Sequence, residues 1–310
     1  MVEEPTRVIP PERRSRRHRS RPSHARIVAR RLIAFVFVLG LVLLLAGGAW
    51  ALLGGNDEQA APPPPVARPP KPLRIIFPEG FTRGQMAERI GAVNKIAQDK
   101  RNITPRLSPS RYLALTDGAS RVPREFRGQG RPPNLEGFLF PATYEFTKRT
   151  TTPQLVNHQL ATFRKNWSSV NMRYARSKNL TPYDVLIIAS MIEKEVVAPE
   201  ERPLVSAVIY NRLHAGMVLG IDATLRYGLD IPPTESIRQS QLDSDNPYNT
   251  RKVAGLPPTP IANPGLASLQ AAAHPAKVNY LFFVRKPDKV HHFFTASDRE
   301  FENYKQAHGY

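Results

Sequence analysis

The chain has 310 residues and a net charge of +18, room for one large domain or two modest ones once flanking segments are set aside. The charge does not mark a nucleic-acid binder, because ten Arg against three Glu in residues 1–31 place +7 of it on a tail. With no Cys, disulfides and thiolate metal sites are excluded, and the folded part must be held by its core.

Residues 1–31 are rich in Arg, Ser and Pro and predict a basic, unstructured cytoplasmic tail. Residues 32–53 (LIAFVFVLGLVLLLAGGAWALL) contain no charge. At about 1.5 Å per residue they reach roughly 33 Å, enough to cross a bilayer. Arg30 and Arg31 precede this run and Asp57 and Glu58 follow it, so the positive-inside rule places the N-terminus in the cytoplasm and the rest outside. A cleaved signal peptide is the rival reading, although the run is long for an h-region. Residues 54–72 form a proline-rich spacer.

Residues 73–77 (LRIIF) alternate as a short strand, and residues 82–90 predict a capped helix with Met86, Ala87 and Ile90 inward. This is the start of a small α/β module over 73–133, with a short helix near 110–115 and otherwise loop. The segment 135–146 (LEGFLFPATYEF) reads as strand and turn, lining a groove or simply forming core. An amphipathic helix follows over 153–167.

Residues 180–197 (LTPYDVLIIASMIEKEVV) organise what remains. Thr181 as N-cap, Pro182 at the first position and Asp184 three residues on from the cap predict a well-started helix. Its middle is apolar all round, as in a helix at the centre of a domain. It ends on Glu193, Lys194 and Glu195. Two carboxylates two residues apart point about 200° from each other, so only one faces a given cleft. Burial and the negative helix end both raise a carboxyl pKa, which suits a general acid. The plainer reading, solvated charges at a helix end with one paired to Lys194, stays open at this point.

A further helix over 201–215 stops at Gly216. Beyond it, GIDATLRYG (220–228), NPYNTR (246–251), GLPPTPIANPG (255–265) and AAAHPAK (271–277) set Asp, Thr, Tyr, Asn and His in Pro- and Gly-fixed loops. Rigid loops with short polar side chains suit sugar hydroxyls. Singly, Asp222 also reads as a turn cap, Tyr227 as core and His274 as a helix terminator. Residues 280–285 and 291–295 predict a hairpin. The pair His291-His292 lacks the spaced partners of a metal motif, and neither a phosphate-binding Gly-rich loop nor a GxSxG turn occurs.

Taken in order, IIASMIEKE, YNRLHAGMVLGIDATLRYG, PYNT, GLPPTPIANPG, AAAHPAK and YLFFV resemble the YceG-like family of endolytic murein transglycosylases over about 135–295. The resemblance implies an α+β fold: one N-terminal transmembrane helix (32–53), a reduced LysM-like module (73–133) and a mixed α+β catalytic domain (134–310). It implies a lyase of the cell inner membrane with a periplasmic catalytic domain. Such an enzyme cuts nascent peptidoglycan between MurNAc and GlcNAc, leaves 1,6-anhydro ends and terminates strand elongation. Its partners would be glycan strands, the inner membrane and peptidoglycan synthases, with no nucleic acid, metal or cofactor.

The same resemblance implies that Glu195, the second acid of the pair, is catalytic. Asp222, Tyr227 and Asn249 are the candidates to position sugar or stabilise charge. Three departures stand out: the segment before 134 is short, Ala142 stands where the family has Asp, and the family's closing Glu-His is absent near 298–300. A non-catalytic scaffold and a simple glycan hydrolase are the alternatives. A pyridoxal-phosphate lyase is disfavoured by the absent phosphate cup.

Overall fold

The structure is a computed structural model describing residues 24–53, 72–126 and 132–310. Most of the basic tail, almost all of the proline-rich spacer and the end of the 73–133 segment lie outside these residues. The chain divides into Met1–Pro69 and Pro70–Tyr310. In the first unit, helix α1 (His24–Leu53) includes Arg31–Ala49, a stretch with mean hydropathy 2.8, long and apolar enough to span a membrane.

In the second unit, β1 (Leu73–Ile76) is followed by α2 (Arg83–Arg101) and α3 (Pro109–Thr116). Helix α2 opens on a Thr82–Gln85 capping box and runs past residue 90 to Asn102, whose left-handed backbone closes it. β1 pairs antiparallel with β2 (Thr143–Phe146), Leu73 opposite Phe146 and Ile76 opposite Thr143. Leu73 and Ile75 face the core while Arg74 and Ile76 face out. The pairing joins the first strand to one 70 residues on, and among the described residues no free-standing LysM-like module is seen. Buried Phe77, Met86, Ile90 and Tyr112 share one core with Phe138, Phe163 and Ile188.

After α4 (Thr152–Trp167) and the five-residue α5 (Arg173–Ser177) comes the central helix α6 (Pro182–Glu195). Its start is as the sequence predicts: Asp184 N–H donates to Thr181 Oγ1 at 3.1 Å, and Thr181 N–H donates to Asp184 Oδ2 at 2.8 Å. Every side chain from Val185 to Ile192 is buried, because α6 is covered by α7 (Arg202–His214) and by a helix from the far end of the chain described below.

Helix α8 (Asp222–Gly228) corrects the reading of GIDATLRYG as a loop. Short α9 (Gln239–Leu242) precedes the NPYNTR loop. Helix α10 (Leu266–Ala273) packs on both α6 and α7 and corrects the loop reading of AAAHPAK, with His274 as its C-terminal cap. The expected hairpin is β3 (Phe282–Arg285) with β4 (His292–Thr295), and α11 (Asp298–His308) follows. Gly137 is fixed by geometry: its φ is +88°, and a Cβ there would lie 2.7 Å from the Pro260 ring.

Candidate active site

The two carboxylates at the end of α6 point to different surroundings. Glu193 is nearly enclosed, its side chain 7% exposed. One oxygen accepts the Gly265 N–H at 2.9 Å and the other lies 4.0 Å from the Arg202 guanidinium, which itself bonds Ser268 at 3.2 Å. Glu193 therefore ties α6 to the starts of α7 and α10. Lys194 turns to the Gly80 carbonyl at 3.4 Å and pairs with neither acid.

Glu195 faces the other way, toward the start of α8, and is half-buried. Burial pushes its carboxyl above the usual range, and the nearby Asp222 pushes it the same way. Arg285, Arg251 and the Ala223 N–H act in the opposite sense, Arg285 most strongly of the three. The Arg285 guanidinium also donates to the Glu195 carbonyl at 2.8 Å, capping the end of α6. Asp222 is held by Arg251 through contacts of 2.6 and 2.7 Å. The site thus has one carboxyl of raised proton affinity, one ion-paired acid and two guanidinium groups.

The loops behind these groups are locked to each other. Thr250 accepts from Gly220 N–H at 2.8 Å through its carbonyl and from Ile221 N–H at 3.0 Å through its hydroxyl, fixing where α8 begins. Asn249 is fully buried and donates to the carbonyls of Leu242 and Ser244, both at 2.8 Å. Its amide is spent on shaping the loop that carries Arg251. Asn246 bonds the Gly228 carbonyl at 3.0 Å, and Gly228 has no room for a Cβ, which would come 2.6 Å from that of Tyr248.

Tyr227 lies at the other end of α8. Its hydroxyl donates to Glu136 at 3.2 Å and its ring packs on Tyr248. Glu136 is 2% exposed and also accepts the Arg83 N–H at 3.1 Å and the Asn263 amide at 2.7 Å. Burial raises its carboxyl to about 7 despite these donors. The one mark of Glu136 in the sequence is that it is a lone acid in an aromatic run, LEGFLF. Nothing local marks Arg251 and Arg285. Of the four residues singled out from sequence, Asp222 stands beside Glu195, Tyr227 serves α8 from behind, and Asn249 supports the loop.

Two cavities of about 560 Å³ each lie elsewhere, one around Tyr174 and Tyr280, the other around Trp167 and Arg176. Glu195 lines neither of them. Among the described residues no three His, Cys, Asp or Glu side chains converge as a metal site.

The fold and site define a mostly helical α+β protein that presents a partly buried glutamic acid at the end of its central helix. The chain belongs to the YceG-like family, which it matches over residues 62–307. It is similar to the endolytic murein transglycosylase of Streptococcus pneumoniae strain R6, 32% identical over 227 residues, covering 68% of this chain and 40% of that one. The endolytic murein transglycosylase of Bacillus subtilis strain 168 is 35% identical over 152 residues, 49% of this chain and 42% of that one. The chain thus spans about two-fifths of the length of these curated relatives. A crystal structure of a yceG-like protein from Listeria monocytogenes superposes with a TM-score of 0.60 at 28% identity, over 76% of each chain.

Proposed function

We propose that the chain is an endolytic murein transglycosylase and that Glu195 does its acid-base chemistry. The observation that supports this most is the division of labour at the end of α6: Glu193 is consumed by Gly265 and Arg202, while Glu195 meets Asp222, Arg251 and Arg285 with a raised proton affinity. Protonated Glu195 donates to the oxygen linking MurNAc to GlcNAc, and the C–O bond breaks toward an oxocarbenium-like state. Glu195, now ionised, takes the proton of the substrate's own C6 hydroxyl, whose oxygen closes on the anomeric carbon as the 1,6-anhydro ring. The nucleophile is already part of the sugar, so one carboxyl suffices. Asp222 supplies negative charge near the developing cation, and Arg251 holds it in place. Tyr227 acts indirectly, bracing α8 against Glu136.

One observation favours a second reading, simple hydrolysis. Asp222 lies near enough to influence Glu195, and two carboxylates flanking a bond can activate water. The products separate the two schemes.

The apolar part of helix α1, with Arg30 and Arg31 at its N-terminal edge, fits a single-pass inner-membrane anchor with a cytoplasmic N-terminus and a periplasmic catalytic unit. There the substrate is nascent glycan, cutting it ends strand elongation, and synthases working on the same strand are the natural partners. The described residues of 73–133, expected as a reduced LysM-like module, then serve the core rather than a separate glycan site.

The test is cleavage of uncrosslinked glycan strands by the purified full chain and by Glu195→Gln. The variant keeps its melting temperature and loses about 10²- to 10⁴-fold in rate, the span attributed to a general acid-base group. Undiminished cleavage by Glu195→Gln would remove Glu195 from the mechanism.

A further inference from the structure

The charge of the folded unit is unevenly placed. Residues 146–183 carry seven Lys and Arg and no Asp or Glu, and residues 265–287 contain no acid either. The fold brings these two stretches together, with α5 packed against α10. Arg173, Arg176 and Lys178 on or beside α5 and Lys277 after α10 are all exposed. None of the four is in an ion pair among the described residues. The carboxylate that acts on this region, Asp184, is occupied by Thr181, whose hydroxyl donates to it at 2.7 Å.

Both large cavities flank α5. One is lined by Tyr174, Tyr210, Lys277 and Tyr280, the other by Trp167, Arg173 and Arg176, each with about 560 Å³ of space. The Tyr174 and Tyr210 rings are 5.8 Å apart, and the Lys178 ammonium stands 5.7 Å over the Tyr174 ring. Tyr210 and Trp167 are buried and form the floors of the cavities, while Tyr174 and Tyr280 are partly exposed; exposed ring faces beside unpaired cations suit a ligand with apolar sugar faces and regularly spaced carboxylates. A flat anionic bilayer would meet the same cations but would leave the two cavities unfilled.

We propose that this face is a second glycan-binding site, which holds a long uncrosslinked strand through the carboxylates of its peptide stems. The inference rests on the reading of Glu195 as the residue that cuts glycan. Four residues join α5 to α6, and the 14 residues of α6 span about 20 Å to Glu195. A strand seated at α5 is therefore held well away from the bond being cut, which favours long strands and sets a minimum distance from the held segment to the new end.

The test compares the full chain with Arg173→Gln/Arg176→Gln/Lys178→Gln and with Tyr174→Ala. Binding of labelled, stem-bearing strands and of phosphatidylglycerol vesicles is measured in the Glu195→Gln background, and cleavage of long strands and of a tetrasaccharide in the active background. Three exposed ion pairs, each weak alone, together give about a ten-fold loss in affinity for long strands. A weaker dependence on salt accompanies it, with tetrasaccharide cleavage unchanged and melting temperatures within a few degrees. Equal affinity of parent and triple variant for long strands would overturn the proposal. So would a loss confined to phosphatidylglycerol vesicles, which would make this a lipid-facing surface. Failure of the parent to cut either substrate would instead count against the catalytic reading, and the binding difference would remain measurable.

Discussion

Replacing Glu193 by Ala separates the two acids at the end of α6. Its loss leaves the Gly265 N–H without its 2.9 Å acceptor, and an unsatisfied buried donor costs about 1–3 kcal/mol. The contact with Arg202, at 4.0 Å and with the guanidinium side chain 13% exposed, adds no more than about 1 kcal/mol, because Arg202 keeps Ser268 as a partner. A small gain offsets this. Glu79, raised first by burial and then by the charge of Glu193, is relieved of that neighbour. The net loss is therefore about 1–4 kcal/mol. In a unit of this size that lowers Tm by roughly 2–16 °C. Circular dichroism melting reads the stability, and cleavage of glycan strands well below the transition reads the activity. Glu193→Ala should melt early and cut within about three-fold of the parent, a span under 1 kcal/mol in barrier. An unchanged melt with a hundred-fold loss of rate would mean that the acid is Glu193 and that the assignment is inverted.

Charge changes around Glu195 should move the alkaline limb of the pH-rate profile in opposite directions. The general acid must be protonated, so activity falls as pH rises through its pKa. Asp222→Asn removes a group that raises that pKa and frees Arg251, which lowers it, so the limb shifts to lower pH; Arg285→Met removes the strongest lowering charge and shifts it higher. Initial rates across pH check both, and shifts of the same sign would contradict the site described. Gly137→Ala combines a φ of +88° with a Cβ 2.7 Å from Pro260 and should cost about 2–5 kcal/mol. Gly216→Ala, at φ +67° with nothing within 4 Å, should cost about 1 kcal/mol; equal melting of the two variants would refute the packing argument. For Glu136, folding raises the carboxyl from 4.5 to about 7. Its contribution is full below 4.5 and lost as pH rises through 7. Glu136→Gln should therefore gain on the parent by roughly 3 kcal/mol between those pH values, and a pH-independent difference in denaturant titrations would refute this.

The parts of the fold legible in sequence are those with local signals. Helix α6 was marked by Thr181, Pro182 and an apolar run, α7 by Gly216, and the β3–β4 hairpin by two aromatic-rich runs. Helix α8 was illegible because its first residue follows Ile221, which offers no capping side chain, and its start is fixed by Thr250, far along the chain. Helix α10 likewise begins at Gly265 without a side-chain cap and is held by Glu193. Angular spacing was enough to say that Glu193 and Glu195 face different ways. Which of them met the site was not in the spacing, since Arg202, Gly265, Asp222 and Arg285 are brought in by tertiary packing. Glu136 was hidden for the same reason: its partners Arg83, Tyr227 and Asn263 come from three distant segments.

In the proposed mechanism a single carboxyl both gives and takes the proton while the sugar supplies its own nucleophile. Mass spectrometry of the ends made from uncrosslinked strands in ¹⁸O-labelled water reads this directly. The expected products are 1,6-anhydro ends without label; reducing ends carrying ¹⁸O would show that water is the nucleophile and contradict intramolecular ring closure.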